Sequence, residues 1–129
     1  MLDDRIVSRE TFDVRAFAEE LGAAPDNREV GTTRLFENDR VRVWEVRLSP
    51  GERCTFHAHV CQYFWTSVTS GMGRQRSGDG SDVVRRYEEG DTLFSSSTPS
   101  APLIHDLENV GETELRFVTV ELTDEHTNG

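Results

Sequence analysis

The sequence predicts an all-β domain, a closed barrel or a sandwich, with one short helix ahead of it. Three observations predict it. Helical spacing of apolar residues is confined to the region before residue 32. From residue 32 onward, apolar and β-branched residues come in short runs. Gly, Asn, Asp and Pro break those runs at regular intervals, as turns do.

The elements follow in order. In residues 11–21, TFDVRAFAEEL, the residues Phe12, Phe17 and Leu21 recur at near-helical spacing. Thr11 or Asp13 can cap the start, and Gly22 stands where a helix stops. GAAPDNREVG is a linker with turn chemistry. TTRLFE extends up to the turn residues Asn38 and Asp39. In RVRVWEVRL, Val41 and Val43 share one face, while Trp44, Val46 and Leu48 share the other. That phase change implies a bulge or a strand covered on both faces. SPGE turns into RCTFHAHV and QYFWTSVT. GRQRS and DVVRRYE bracket GDG, a hairpin signal. EEGD turns again, TLFSSS extends, and APLIHDLE and ELRFVTVEL surround the turn NVGE. No internal repeat or low-complexity segment interrupts the pattern. The organisation is a helical extension and linker over 1–31, a barrel over 32–122 and a polar tail over 123–129.

The bulk properties narrow the function. A chain of 129 residues makes one domain with a real core. A net charge of −10 argues against nucleic acid, which needs clustered cations to displace counterions. No apolar run is long enough to cross a bilayer, and MLDDRIVSRE lacks a signal-peptide core, so the expected location is cytoplasmic. Cys54 and Cys61 do not make a disulfide framework and read as free thiols.

The chemistry lies in PGERCTFHAHVCQYFWTSVTSG, which holds two of the four histidines. On a strand, residues i and i+2 face the same way, so His57 and His59 project together. Two adjacent imidazoles can chelate one metal ion. Left unpaired in a barrel interior, they would leave ring nitrogens without partners. His105, in the late strand PLIHDLEN, can supply a third nitrogen if that strand lies beside the HAH strand. The competing reading is two histidines on a solvated face and a separate His105. Imidazole suits iron, zinc, nickel and copper alike, so ligand type does not choose the metal. His126 lies in the polar tail and reads as a solvated residue.

These residues resemble the first cupin motif. Gly51 is followed by five residues, His57-x-His59, four residues, Phe64, six residues and Gly71. Every spacing fits, but Phe64 stands where cupins usually carry a metal-binding glutamate. The second motif is matched at its ends by Gly90-Asp91 and by His105 with Asn109. Its middle, TLFSSSTPSAPLI, is longer than the family pattern. The resemblance spans roughly 32–122 and is similar to the small single-domain cupins of the β-alanine-degradation (BauB-like) type. It implies an antiparallel jelly-roll β-barrel with one divalent metal ion inside.

A three-His site without the glutamate resembles the iron sites of thiol dioxygenases and diketone-cleaving dioxygenases. The resemblance thus implies Fe(II) and a small organic acid, thiol or diketone as substrate. Zinc, nickel or manganese, supporting lyase, isomerase or hydrolase chemistry, is the alternative. A non-catalytic small-molecule-binding cupin is another. Gln62 or Tyr63 can replace the missing carboxylate, because a turn near 60–62 leaves the strand phase open. Cys61 shares the parity of the histidines if the strand continues. Phe56, Cys61, Gln62, Tyr63, Phe64, Thr66 and Phe94 are the expected pocket residues, against a reading in which the aromatics simply fill the core. Arg34, Arg47 and Arg74 are candidates for holding a substrate carboxylate. Small cupins usually pair as homodimers, and pairing protects exposed edge strands.

Overall fold

The computed structural model describes residues 2–124. Among the described residues, ten strands form two five-stranded antiparallel sheets. They are β1 (Ile6–Thr11), β2 (Thr33–Glu37), β3 (Val41–Leu48), β4 (Arg53–His59), β5 (Tyr63–Ser67), β6 (Gly71–Arg76), β7 (Ser81–Tyr87), β8 (Thr92–Ser95), β9 (Leu103–Asn109) and β10 (Leu115–Leu122). One sheet has the order β1-β7-β6-β9-β4 and the other β2-β3-β10-β5-β8. Sequence-adjacent β4 and β5 lie in different sheets, while β4 pairs with the distant β9. This is the jelly-roll arrangement that the motif resemblance implies, within the barrel-or-sandwich class that the strand spacing predicts. Among the described residues no helix is long and apolar enough to cross a membrane.

The inner faces of both sheets make the core. Val46 and Leu48 of β3, Leu115 and Phe117 of β10 and Tyr87 of β7 are buried together, with Trp65 and Leu107 packed against them. The rings of Trp65, Tyr87 and Phe117 meet edge to face at centroid distances of 4.9–5.5 Å. The phase change in β3 is resolved without a bulge in that strand. Trp44, Val46 and Leu48 point inward and Val43 outward, where it joins an apolar row across the second sheet. Register places Phe36, Val43, Val120, Phe64 and Phe94 side by side in that row. Phe36 and Phe94 are 53% and 54% exposed. The bulge lies in β2 instead, between Arg34 and Phe36.

The N-terminal region departs from the sequence reading in two ways. Residues Ile6–Thr11 form an edge strand on β7, where only helix and linker were expected. Its side chains are mostly exposed, so no apolar alternation marks it. The helix itself is shorter and later. A 3-10 turn, Val14–Phe17, leads into α1 (Ala18–Ala23) and a second 3-10 turn, Ala24–Asp26. Asp13 caps the first turn by accepting from the Arg15 N–H, whereas Thr11 ends β1 and Gly22 lies inside α1. Tertiary packing, not helical periodicity, holds this segment. Phe12 and Phe17 pack on Phe56 at 6.0 and 5.5 Å, and the guanidiniums of Arg53 and Arg76 lie over the Phe17 ring.

Candidate metal centre

Two features of β4 build the site. A bulge between Cys54 and His57 turns Thr55 and Phe56 away from the barrel and returns His57 to the inner face. From there, normal alternation places His59 beside His57. Register with β9 sets His105 directly opposite His57. One ring nitrogen from each histidine lies within 4.8 Å of the others, and the group contains no carboxylate. Nε2 of His59 is 2.9 Å from Nε2 of His105.

The electrostatics suit metal donors. Burial lowers the pKa of His57 and holds those of His59 and His105 well below 6.5; mutual repulsion among the rings lowers the latter two further. The rings are therefore neutral at pH 7 and offer lone pairs. His57 donates from Nδ1 to the Thr55 carbonyl at 2.8 Å, which leaves its Nε2 lone pair free. Nδ1 of His59 and of His105 is buried without a hydrogen-bond partner. A buried orphan polar atom costs about 1–3 kcal/mol. Three converging neutral imidazoles fit a divalent cation, which takes one lone pair from each.

A cavity adjoins the trio. Tyr63, Gln75 and Thr119 supply its polar wall, and Val46, Trp65, Leu107 and Phe117 part of its apolar wall. Burial pushes the Tyr63 phenol up to about 12, so it stays protonated, and it bonds Ser95. Cys54 also lines the cavity; burial pushes its thiol up to about 11, with the Asp106 charge adding to this.

Of the pocket residues expected from sequence, Tyr63 lines the cavity, and its ring stacks on His59 at 3.9 Å. The others are placed elsewhere. Phe56 faces outward under the N-terminal segment, because of the bulge. Cys61 lies beyond the end of β4, and its thiol donates to Glu121 at 3.5 Å. Gln62 accepts the Leu122 N–H on its backbone carbonyl, at the start of β5, and does not line the cavity. Phe64 and Thr66 lie on the outer face, opposite Phe94 and Thr92. Tyr63 keeps the parity of His57 and His59 across the turn at 60–62, so Tyr63, not Phe64, occupies the inner position next to the histidines.

The three candidate arginines are also corrected. Arg34 pairs with Glu37 at 3.1 Å, Arg47 with Glu114 at 3.2 Å and Arg74 with Asp82 at 3.1 Å. Each already has an acid. Asn109 performs the turn-shaping role its motif position suggests. It is buried, donates to the carbonyls of Leu48 and Thr113, and accepts the Gly111 N–H. Gly51, at φ +87°, makes the turn before β4 in a conformation that favours glycine, and donates its N–H to the Asn109 carbonyl.

Sequence reasoning missed two buried acids. Asp106, next to His105 but on the outer face, accepts from Arg53, from the Arg76 side chain and from the Arg76 N–H, all at 2.7–2.8 Å. Glu121 accepts from the Trp44 indole at 2.7 Å and from Arg42. An acid inside an otherwise apolar strand pattern was the available signal for both. Gln75 and Thr119 were legible by alternation from Gly73 and Phe117.

No protein-family profile matches the chain, and no curated protein does. Solved structures do. A cupin domain from Bordetella pertussis Tohama I is 27% identical, with a TM-score of 0.62 over 70% of this chain and 88% of that one. An RmlC-like cupin family protein with a double-stranded β-helix fold, from Methanocaldococcus jannaschii, is 17% identical, with a TM-score of 0.59 over 80% and 92%. A double-stranded β-helix protein from Klebsiella pneumoniae is 22% identical, with a TM-score of 0.57 over 74% and 75%. The fold is therefore the cupin fold, with a three-histidine group inside the barrel.

Proposed function

We propose that this protein is a metal-dependent cupin enzyme of the small single-domain, BauB-like kind. His57, His59 and His105 hold one divalent ion, Fe(II) first, and the reaction is dioxygenation of a small organic acid, thiol or diketone. The observation that carries this reading is the donor set: three neutral imidazoles and no carboxylate within one group. Such a set leaves the full charge of the ion to act on an anionic substrate. When bound, Fe(II) would supply Lewis acidity and a place for dioxygen beside the substrate.

The chain's own residues do the rest. Trp65, Leu107 and Phe117 give the cavity an apolar wall that disfavours water. Tyr63 and Gln75 present hydrogen-bonding groups that orient a polar substrate. The Thr55 carbonyl fixes the His57 tautomer. Zinc, nickel or manganese with lyase, isomerase or hydrolase chemistry is the second reading, because the same three nitrogens suit those ions. The proposal includes a homodimer. Its support is the apolar row from Phe36 to Phe94, uncharged in a chain of net charge −10 and able to meet itself across a two-fold axis.

The test is metal analysis after purification without chelating resin, followed by oxygen-electrode assays on small hydroxy acids, thiol acids and β-diketones. Bound iron with substrate-dependent oxygen uptake is the expected result. Turnover without oxygen moves the assignment to the second reading, and turnover with no metal at all overturns both.

A further inference from the structure

Arg85 has the features that Arg34, Arg47 and Arg74 lack. Tyr87 lines the cavity; Arg85, two residues earlier on β7 and half-buried, shares its face of the sheet by alternation, though it is not itself among the lining residues. Its cross-strand neighbour on β6 is Gly73. A Cβ at Gly73 would already lie 3.0 Å from the Tyr87 ring and 3.2 Å from Leu107 and Leu115, so no side chain fits in Arg85's path there. The Arg85 charge acts on the Tyr87 phenol and is felt at His105.

What it lacks is an acid. Arg5, Arg42, Arg53, Arg76, Arg86 and Arg116 each make an ion pair. Among the described residues Arg85 makes none, in a chain with 24 acids. A half-buried guanidinium on an inner face, left without a carboxylate by an acid-rich chain, is an open fork for a carboxylate from elsewhere.

We infer that Arg85 binds the carboxylate of a small bifunctional acid whose other end reaches the three-histidine site. This deepens the proposed function and rests on it. It selects hydroxy and thiol acids over diketones, which carry no carboxylate for Arg85. Arg85 is thereby a specificity-determining residue.

The experiment is calorimetric binding to the metal-loaded protein under nitrogen. The probes are glycolate, 3-hydroxypropionate and 3-mercaptopropionate, with 1,3-propanediol as the uncharged control. The proteins are wild type, Arg85→Gln, Arg85→Lys and Arg86→Gln, the last on the outer face of the same strand. At least one acid should bind wild type and prefer it over Arg85→Gln by about tenfold or more, as loss of a charge-assisted bidentate pair requires. Arg85→Lys should recover part of that affinity, Arg86→Gln all of it, and metal stoichiometry should not change in any variant. Equal acid affinity in wild type and Arg85→Gln overturns the inference while leaving the metal reading intact. So does failure of every acid to bind wild type. Loss of metal from wild type itself sinks the functional reading instead. If Arg85→Gln melts early, Arg85→Lys carries the comparison: acid affinity equal to wild type in that folded variant, with no loss of the fork's advantage, counts against the inference.

Discussion

Tyr63 lies flat on His59, ring centroids 3.9 Å apart and planes 15° from parallel. This contact puts Tyr63, not Phe64, beside the histidines. Phe64 matches the usual cupin glutamate by motif spacing, but its side chain belongs to the outer row beside Phe94 and Val120. Phe64→Glu should therefore leave metal affinity unchanged, as read by competition with a chelator. Tyr63→Glu should tighten it by placing a carboxylate beside His59. Without metal, Tyr63→Glu buries an unpaired acid and should cost about 3 kcal/mol of stability, read from the urea midpoint and restored on metal addition.

The N-terminal segment is fastened by Glu20. Its carboxylate accepts from Arg53 and, at 2.7 Å, from the Phe56 N–H. Burial raises the Glu20 pKa, but those hydrogen bonds outweigh it and leave it below 4.5. A depressed acid stabilises the fold above its unfolded pKa and loses that contribution as pH falls through the folded value. Urea midpoints measured between about pH 3 and pH 5 should thus fall less steeply in Glu20→Gln than in wild type. Identical slopes would contradict this account of the fastening.

Asn109 closes the turn after β9 with three hydrogen bonds from a buried amide. Asn109→Ala leaves the buried carbonyl of Leu48 and the part-buried one of Thr113 without that donor. A loss of about 1–3 kcal/mol is expected in denaturant unfolding. A loss within experimental error would mean that the turn holds without it.

The proposed homodimer places the outer row at the interface. Light scattering should give about twice the 14.6 kDa chain mass at micromolar concentration. Phe94→Asp should return the monomer mass with the fold intact by circular dichroism. A wild-type monomer would refute the dimer.

The strands after residue 32 were legible because turn residues punctuate them and the runs are short. The three histidines were legible because alternation and two motif ends place them. The phase of β5 was not. It depends on the turn at 60–62, and a one-residue slip there exchanges Tyr63 for Phe64. The position of Phe56 turned on a bulge that leaves no composition signal. Strand β1 was invisible because an exposed edge strand needs no apolar alternation. The arginines could not be sorted from sequence, since which of them meets an acid is set by cross-strand register. Arg74 and Arg85 look alike in the sequence, yet one faces Asp82 and the other shares the face of Tyr87.

The central claim is that His57, His59 and His105 together hold one divalent ion. Metal-to-protein stoichiometry by mass spectrometry tests it most directly, on wild type, His57→Ala, His59→Ala, His105→Ala and His126→Ala. His126 lies outside the described residues and serves as the control. The account predicts about one metal per chain in wild type and His126→Ala. It predicts a sharp loss in each of the other three, because two nitrogens make a weak site. Full metal in His57→Ala, or loss in His126→Ala, would contradict it.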